Sequence, residues 1–185
     1  MRIIAGTHRG TTLASVGKGD RSAHLRPTSD RVRESLFSML THHDVIAGAT
    51  VLDLFAGTGA LGLEALSRGA SHVTFVDDGR AAQKLIRENI VKLRAASATH
   101  LLARDARRLP ICDARPCDLV FLDPPYGKNL GLGALEAASA NGWLDDDAFI
   151  VWEEAQPMAA PDGFALVDQR RYGDTHINLL SKSSL

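Results

Sequence analysis

Two short stretches hold residues whose types and spacing can do chemistry. In the first, the apolar run Val51-Leu52-Asp53-Leu54-Phe55-Ala56 breaks into Gly57-Thr58-Gly59-Ala60-Leu61-Gly62. This is a G-x-G-x-x-G turn between a strand and a helix, whose glycines let a ligand approach the backbone. Twenty residues beyond Gly57, at the end of the next apolar run, stands Asp77, where an acid can accept hydrogen bonds from a ribose diol. Together they predict a cofactor that contains adenosine. Charge narrows the choice. A pyrophosphate favours bare helix amides, whereas Asp53 directs a carboxylate toward the same crevice from four residues before the first glycine. That suits a cationic ligand such as S-adenosyl-L-methionine, with its ammonium and sulfonium groups. The competing readings are a glycine turn required only by packing and an Asp53 that caps neighbouring amides.

The second stretch is Asp123-Pro124-Pro125-Tyr126, after the run Asp118-Leu119-Val120-Phe121-Leu122. Open α/β sheets bind ligands at the carboxyl ends of their strands, which is where these four residues fall. Two consecutive prolines stiffen the chain and hold an acid and a carbonyl in set directions. An exocyclic amine on a base is a poor nucleophile because its lone pair is delocalised into the ring. Hydrogen bonds from that amine to the Asp123 carboxylate and the Pro124 carbonyl favour a pyramidal nitrogen and stabilise the positive charge that grows as a methyl group arrives. Tyr126 supplies a stacking face worth about 1–3 kcal/mol per base. A target base has to leave its stack to reach such a pocket. The alternative is a rigid Pro-Pro turn of no chemical consequence.

Asp105, in Arg104-Asp105-Ala106, is a further candidate to accept from the adenine amino group of the cofactor, against an ordinary loop acid. The seven histidines show no ligand spacing, so the sequence does not point to a metal. Asp145-Asp146-Asp147 reads as a solvated approach to a strand. Cys112 and Cys117 read as small hydrophobes that stay reduced.

These residues need a scaffold. Runs at Thr50 to Phe55, His72 to Val76, Ala98 to Ala103, Asp118 to Leu122 and Ala148 to Trp152 read as strands. Helical stretches near Ala60 to Arg68, Arg80 to Ala95 and Leu130 to Ala140 lie between them. Apolar strands alternating with helices predict a parallel sheet covered on both faces. Phe164 to Tyr172 and Thr175 to Ser181 read as an antiparallel hairpin turning at Gly173-Asp174. Before the sheet, Ile3 to Leu13 reads as a small hairpin and Gly17 to Ser22 as a flexible loop. A helix then follows Pro27, capped by Thr28 or Ser29, with Val32, Leu36, Met39 and Leu40 on its apolar face and Arg31 and Arg33 off it.

Length and composition agree with one folded unit plus an appendage. The chain has 185 residues, 45% hydrophobic and 23% charged, which excludes disordered, collagenous and disulfide-dense classes. No apolar stretch is long enough to span a bilayer and the start lacks a signal peptide's apolar region, so a cytoplasmic location without membrane attachment is expected. Residues 1–33 carry seven Lys/Arg against two acids, a balance of +5, which leaves −6 for the remaining 152 residues. A basic arm on an acidic body fits a polyanion partner.

The residues from Asp53 to Gly69 together with Asp123-Pro124-Pro125-Tyr126 resemble the RsmD-type methyltransferases, which methylate guanine N2 in small-subunit ribosomal RNA. The resemblance extends to Arg2-Ile3-Ile4-Ala5-Gly6, Arg9-Gly10, Leu25 to Phe37 and Tyr172-Gly173-Asp174-Thr175, and so covers nearly the whole chain. It implies a Rossmann-like methyltransferase fold of the class that uses S-adenosyl-L-methionine, with a seven-stranded, mostly parallel sheet and an antiparallel last strand. It implies that the cofactor is held by Asp53, Phe55, Ala56, Gly57, Thr58, Gly59, Ala60, Asp77, and Asp105 with Ala106. Asp123, Pro124, Pro125 and Tyr126 would hold the target guanine. Val76-Asp77-Asp78-Gly79 departs from the family's acid, apolar residue, Asp pattern, so either Asp77 or Asp78 meets the ribose.

The expectation is therefore a monomeric enzyme that methylates a guanine amine in 16S ribosomal RNA or an assembling small subunit. Residues 1–45 form a basic hairpin-and-helix extension that grips RNA phosphates through Arg9, Arg26, Arg31 and Arg33; residues 46–185 form the methyltransferase domain. The rivals are a DNA amino-methyltransferase acting on adenine N6 or cytosine N4, a nicotinamide-dependent oxidoreductase, and a non-catalytic RNA-binding module.

Overall fold

The structure, a computed structural model, describes residues 1–15 and 29–183. Its elements run α1 (Asp30–His42), β1 (Thr50–Leu54), α2 (Ala60–Ser67), β2 (His72–Val76), α3 (Arg80–Lys92), β3 (Thr99–Leu102), β4 (Cys117–Leu122), α4 (Leu130–Ala140), β5 (Leu144–Glu154), β6 (Phe164–Tyr172) and β7 (Thr175–Lys182). The strands form one seven-stranded sheet in the order β3-β2-β1-β4-β5-β7-β6. Strands β1 to β5 are parallel, and β7 runs antiparallel to both β5 and β6. The Rossmann-like α/β expectation with an antiparallel last strand holds. The order reverses between β1 and β4, so the crevice above their carboxyl ends is the switch point where such sheets bind ligands.

The expected elements appear with small changes at their ends. β5 starts at Leu144 and takes in Asp145 to Asp147, because the ladder shifts register between Cys117 and Leu119 and continues down to Leu144. α3 stops at Lys92, and a 3-10 turn at Ala96–Ala98 leads into β3. The N-terminal hairpin is a single antiparallel bridge between Arg2 and Thr12, with no regular strand. Ser29 caps α1, accepting from the Val32 amide at 3.3 Å. The expected Gly17 to Ser22 loop and the Thr28 alternative for the cap lie outside the described residues.

Two apolar layers sandwich the sheet. One face packs Ile3, Leu13, Leu36, Phe37 and Leu40 with Leu63, Phe75, Ile86, Phe121 and Ile177. The other packs Leu52, Leu54 and Leu122 with Leu135, Trp143 and Trp152. The N-terminal segment and α1 thus share the core of the sheet, with the Phe37 and Phe121 rings 5.7 Å apart.

A buried carboxylate fixes this docking. Glu64 on α2 is fully buried and accepts from the Ile4 amide at 2.7 Å, the Ala5 amide at 3.0 Å and Arg68 Nε at 2.7 Å. Arg33 Nη1 stands 3.8 Å from it. Arg33 corrects the charge-based expectation. The buried positions of α1 are Arg33, Leu36, Phe37 and Leu40, so Arg33 lies on the core face of the helix. Its Nη2 donates to the Arg2 carbonyl at 2.7 Å and to Asp30 Oδ1 at 2.6 Å. A side chain with 1% exposure, held between two acids, is not available to an RNA phosphate.

Close approach also dictates Gly6. Its φ is +81°, and a Cβ there would fall 1.7 Å from the Ser67 carbonyl oxygen, against which Thr7 N donates at 2.8 Å. Replacing Glu64 by Ala removes the acceptor of the Ile4 and Ala5 amides and of Arg68 Nε, and removing one partner of a buried pair costs about 3–5 kcal/mol. Urea unfolding of Glu64→Ala should show a loss of that order.

Candidate functional site

The glycine turn is shaped by contacts with its neighbours. Phe55 enters it at φ 59° and Gly59 begins α2 at φ +76°. At Gly62 a Cβ would meet Phe75 and Val73 side-chain carbons at 2.6 Å and Asp53 Oδ2 at 3.0 Å, so only glycine lets α2 lie this close to the sheet. Asp53 Oδ2 accepts from the Gly62 amide at 3.0 Å, which is the capping contact of the structural reading. Burial, opposed by that amide and reinforced by Asp77, pushes the Asp53 carboxyl up to about 8.

Asp77 organises the same turn from β2. Its Oδ2 accepts from the Gly57 amide at 2.9 Å and its Oδ1 from the Gly79 amide at 2.9 Å. Burial raises its carboxyl above the usual range, against the pull of the two amides. Asp78 next to it is exposed. Both line a cavity of about 190 Å³ together with Phe55, Val76, Asp105, Ala106, Arg107, Pro125, Lys128 and Leu130. That volume is below the roughly 300 Å³ at which pockets for whole ligands begin, so it suits the nucleoside part of a larger molecule. Asp105 caps the 3-10 turn Ala106–Arg108 and takes a forked ion pair from Arg107. That hydrogen bond, opposed by burial, leaves Asp105 below the ordinary carboxylate range.

Asp123 follows β4 in the crevice beside Asp53. Burial, then Glu153, Asp53 and Glu154, raise its carboxyl well above the ordinary value. Pro124 is buried behind it. Tyr126 donates its hydroxyl to Glu153 Oε1 at 2.8 Å, and 3.1 Å separates that hydroxyl from Thr175 Oγ1. The ring is therefore tied to the ends of β5 and β7. The crevice gathers Asp53, Asp123 and Glu153 from three adjacent parallel strands, an arrangement that favours a cation.

Sequence reasoning placed Asp53, Asp77, Asp105 and Asp123 at one sheet edge, and the structure brings all four there. It missed Glu153, Thr175, Arg107 and Lys128. A buried strand ending in Glu153-Glu154 was the available signal for the first. Of the expected RNA contacts, Arg9 and Arg31 are exposed, Arg33 is buried, and Arg26 lies outside the described residues. A second cavity, lined by Gly6, Thr41, Asp44, Ile46, Ala47 and Arg68, contains none of the expected site residues.

Comparison with known proteins shows the family and the fold. The family model described as Conserved hypothetical protein 95 matches residues 1–181. Ribosomal RNA small subunit methyltransferase D of Escherichia coli strain K12 is 40% identical over 161 residues, covering 87% of this chain and 78% of its own length. The protein of the same name from Haemophilus influenzae is 35% identical over 179 residues, covering 94% and 89%. The solved structure of yhhF from Escherichia coli superposes with a TM-score of 0.85 at 35% identity, over 100% of this chain and 99% of that one.

The raised carboxyls set a pH dependence of stability. Asp53 ionises near 3.8 when exposed in the unfolded chain and at about 8 in the folded protein. Across that window the folded state keeps a proton that the unfolded state has released, so rising pH removes stability until about 8. Asp53→Asn keeps an acceptor for the Gly62 amide and abolishes the titration. Urea midpoints measured from pH 5 to pH 8 should therefore fall less steeply for Asp53→Asn than for the parent protein. Equal slopes would show that Asp53 keeps an ordinary proton affinity in the fold.

Proposed function

The chain belongs to the Conserved hypothetical protein 95 family of RsmD-type methyltransferases, and from that premise we propose that it moves a methyl group from S-adenosyl-L-methionine to the N2 amine of a guanine in small-subunit ribosomal RNA. The observation that carries this reading is Asp123-Pro124-Pro125-Tyr126 at the end of β4, beside the Asp53 glycine turn and inside a cluster of carboxylates. The cofactor fits that cluster: buried acids that hold protons when alone are stabilised in their ionised form by a cationic ligand. The names of the Escherichia coli and Haemophilus influenzae relatives support ribosomal RNA as the substrate class. A substrate of that kind, free or in an assembling small subunit, goes with a cytoplasmic location.

Bound S-adenosyl-L-methionine supplies a methyl group made electrophilic by its sulfonium. The turn from Asp53 through Phe55, Ala56, Gly57, Thr58 and Gly59 to Ala60 holds its amino-acid part, and Asp53 balances the positive charge. Asp77 takes the ribose: both acids line the cavity, but the Gly57 and Gly79 amides hold the Asp77 carboxylate in one place, whereas Asp78 is exposed. Asp105 accepts from the adenine amine, with Ala106 in the cavity wall. The Asp123 carboxylate and the Pro124 carbonyl accept the two hydrogens of the guanine N2 amine and stabilise charge on that nitrogen. Asp123, the acid with the raised proton affinity, also takes the proton that the methylated amine must lose. Tyr126 stacks on the turned-out base, and Arg9, Arg26 and Arg31 meet phosphates.

Purified protein incubated with labelled cofactor and undermethylated small subunits should yield N2-methylguanosine. Methylated adenine or cytosine in parallel duplex DNA would instead assign the same pocket to a DNA substrate. Asp123→Ala should lower transfer by about 10²-fold or more while binding of S-adenosylhomocysteine persists; near-normal turnover would remove Asp123 from the reaction. Joint replacement of Arg9 and Arg31 by Ala should reduce the salt slope of RNA binding by about one for each phosphate deprived of its cation. An unchanged slope would place the RNA elsewhere.

A further inference from the structure

The cofactor cavity contains a cation that the methyl-transfer reading leaves unused. Arg107 reaches Asp105 through three donors. Its amide and Nε meet Asp105 Oδ1 at 2.9 Å and 3.1 Å, and its Nη2 meets Oδ2 at 2.7 Å. The amide alone would fix one oxygen and leave the carboxylate free to rotate about its bond to Cβ. The planar guanidinium fork engages both oxygens and so sets the plane of the carboxylate.

We propose that Arg107 is a positioning residue that gives the cavity its selectivity for a purine bearing an exocyclic amine, by holding Asp105 in the orientation that accepts from that amine. The inference rests on Asp105 meeting the cofactor's base, as proposed above.

Four observations support it. A carboxylate offers about four lone-pair sites; three are occupied here, which leaves room for one more N–H donor. The Arg107 hydrogen bond lowers the Asp105 carboxyl below the ordinary carboxylate range despite burial, and an ionised carboxylate only accepts. The Arg107 stem passes α4 at Gly133, where even a Cβ would lie at ordinary contact distance, 3.6 Å from Cγ and 3.7 Å from Cδ, so the stem runs alongside that helix. Finally, the pair is open to water, with side-chain exposures of 47% for Arg107 and 22% for Asp105. Ion pairs that exposed add little to stability, so the effect of this one is geometric. Asp78, also in the cavity lining, adds to the field that holds the guanidinium.

An amine at position 6 of the purine donates to Asp105, whereas a carbonyl there presents an acceptor to an acceptor. The test measures binding of S-adenosylhomocysteine and S-inosylhomocysteine by calorimetry to the intact protein and to Arg107→Ala, Arg107→Lys and Asp105→Asn. The parent protein should prefer the adenosyl ligand by about 10- to 100-fold, as expected for a hydrogen bond to a charged group. In Arg107→Ala the preference should shrink to about threefold or less, mostly by loss of adenosyl affinity. Arg107→Lys keeps the charge without the fork and should recover only part of the preference. Asp105→Asn can offer a donor and should shift preference toward the inosyl ligand. Arg107→Ala retaining the parent's preference, or losing both affinities equally, would overturn the proposal. If the parent protein bound neither ligand, the cofactor reading itself would fail, a result distinct from a preference that survives without Arg107.

Discussion

Glu64 has no exposure to water, and two distant parts of the chain and a neighbour one turn along converge on it. Its oxygens accept from the amides of Ile4 and Ala5 and from Arg68 Nε, and Arg33 adds a second guanidinium nearby. A charge in that position is tolerated only when its hydrogen bonds and counter-charges are complete. The N-terminal segment must therefore lie across α2 in one register, which brings Gly6 within reach of the Ser67 carbonyl and seats Ile3 in the core. α2 is also the helix that opens from the glycine turn. Through it, the element that fixes the N-terminal segment and the element that bounds the ligand crevice are the same eight residues. Asn89 on α3 ties the two a second time, since its buried side chain donates to the Ala14 carbonyl at 3.1 Å and to the Thr58 carbonyl in the turn at 2.9 Å.

At the carboxyl edge of the sheet the electrostatics run the other way. Glu64 is balanced by cations, whereas the buried Asp53 and the half-buried Asp123 stand beside further acids and have their carboxyls raised toward the protonated form. The fold holds this arrangement at a cost in stability that increases with pH, as a site arranged for a cationic ligand would. Hydrogen bonding shows the same division of labour. The glycine-turn amides that an anion would need are already engaged, Gly57 by Asp77 and Gly62 by Asp53, so the turn offers little to a pyrophosphate. This weakens the nicotinamide rival left open by the literal glycine pattern, on grounds independent of any relative.

The sheet and the four acids were legible because each is a local signal. A buried parallel strand is a run of apolar residues, and an acid ending such a run falls at the ligand-binding edge. Tyr126 illustrates where local signals stop. Its place in the motif predicts a stacking face, but the bonds that orient the ring come from Glu153 and Thr175, 27 and 49 residues away. Arg107 was missed for a different reason. Two residues beyond Asp105 it reads as a solvated loop cation, and its fork onto that acid appears only once Asp105 caps a 3-10 turn. Val76-Asp77-Asp78-Gly79 also needed geometry: it is Asp77 that accepts from the Gly57 and Gly79 amides, while both acids line the cavity.

Arg33 shows why counting charges along a segment does not map a binding surface. Residues 1–33 have a balance of +5, yet Arg33 is consumed by the core and Arg2 stands 3.7 Å from Asp30. What remains is better described by position than by sum. Ser35 on α1 and Tyr172 at the end of β6 are joined at 2.7 Å, and Tyr172 pairs with Thr175 across the hairpin turn. Thr175 in turn meets the hydroxyl of Tyr126. Arg31 lies four residues before Ser35, on the same side of α1 and about 6 Å along it. Under the proposed function, a phosphate held at Arg31 is thus connected to the base-stacking ring through two hydroxyl contacts and one strand pairing. The N-terminal helix is thus tied through Ser35, Tyr172 and Thr175 to the hydroxyl of the Tyr126 ring, rather than standing free of the sheet.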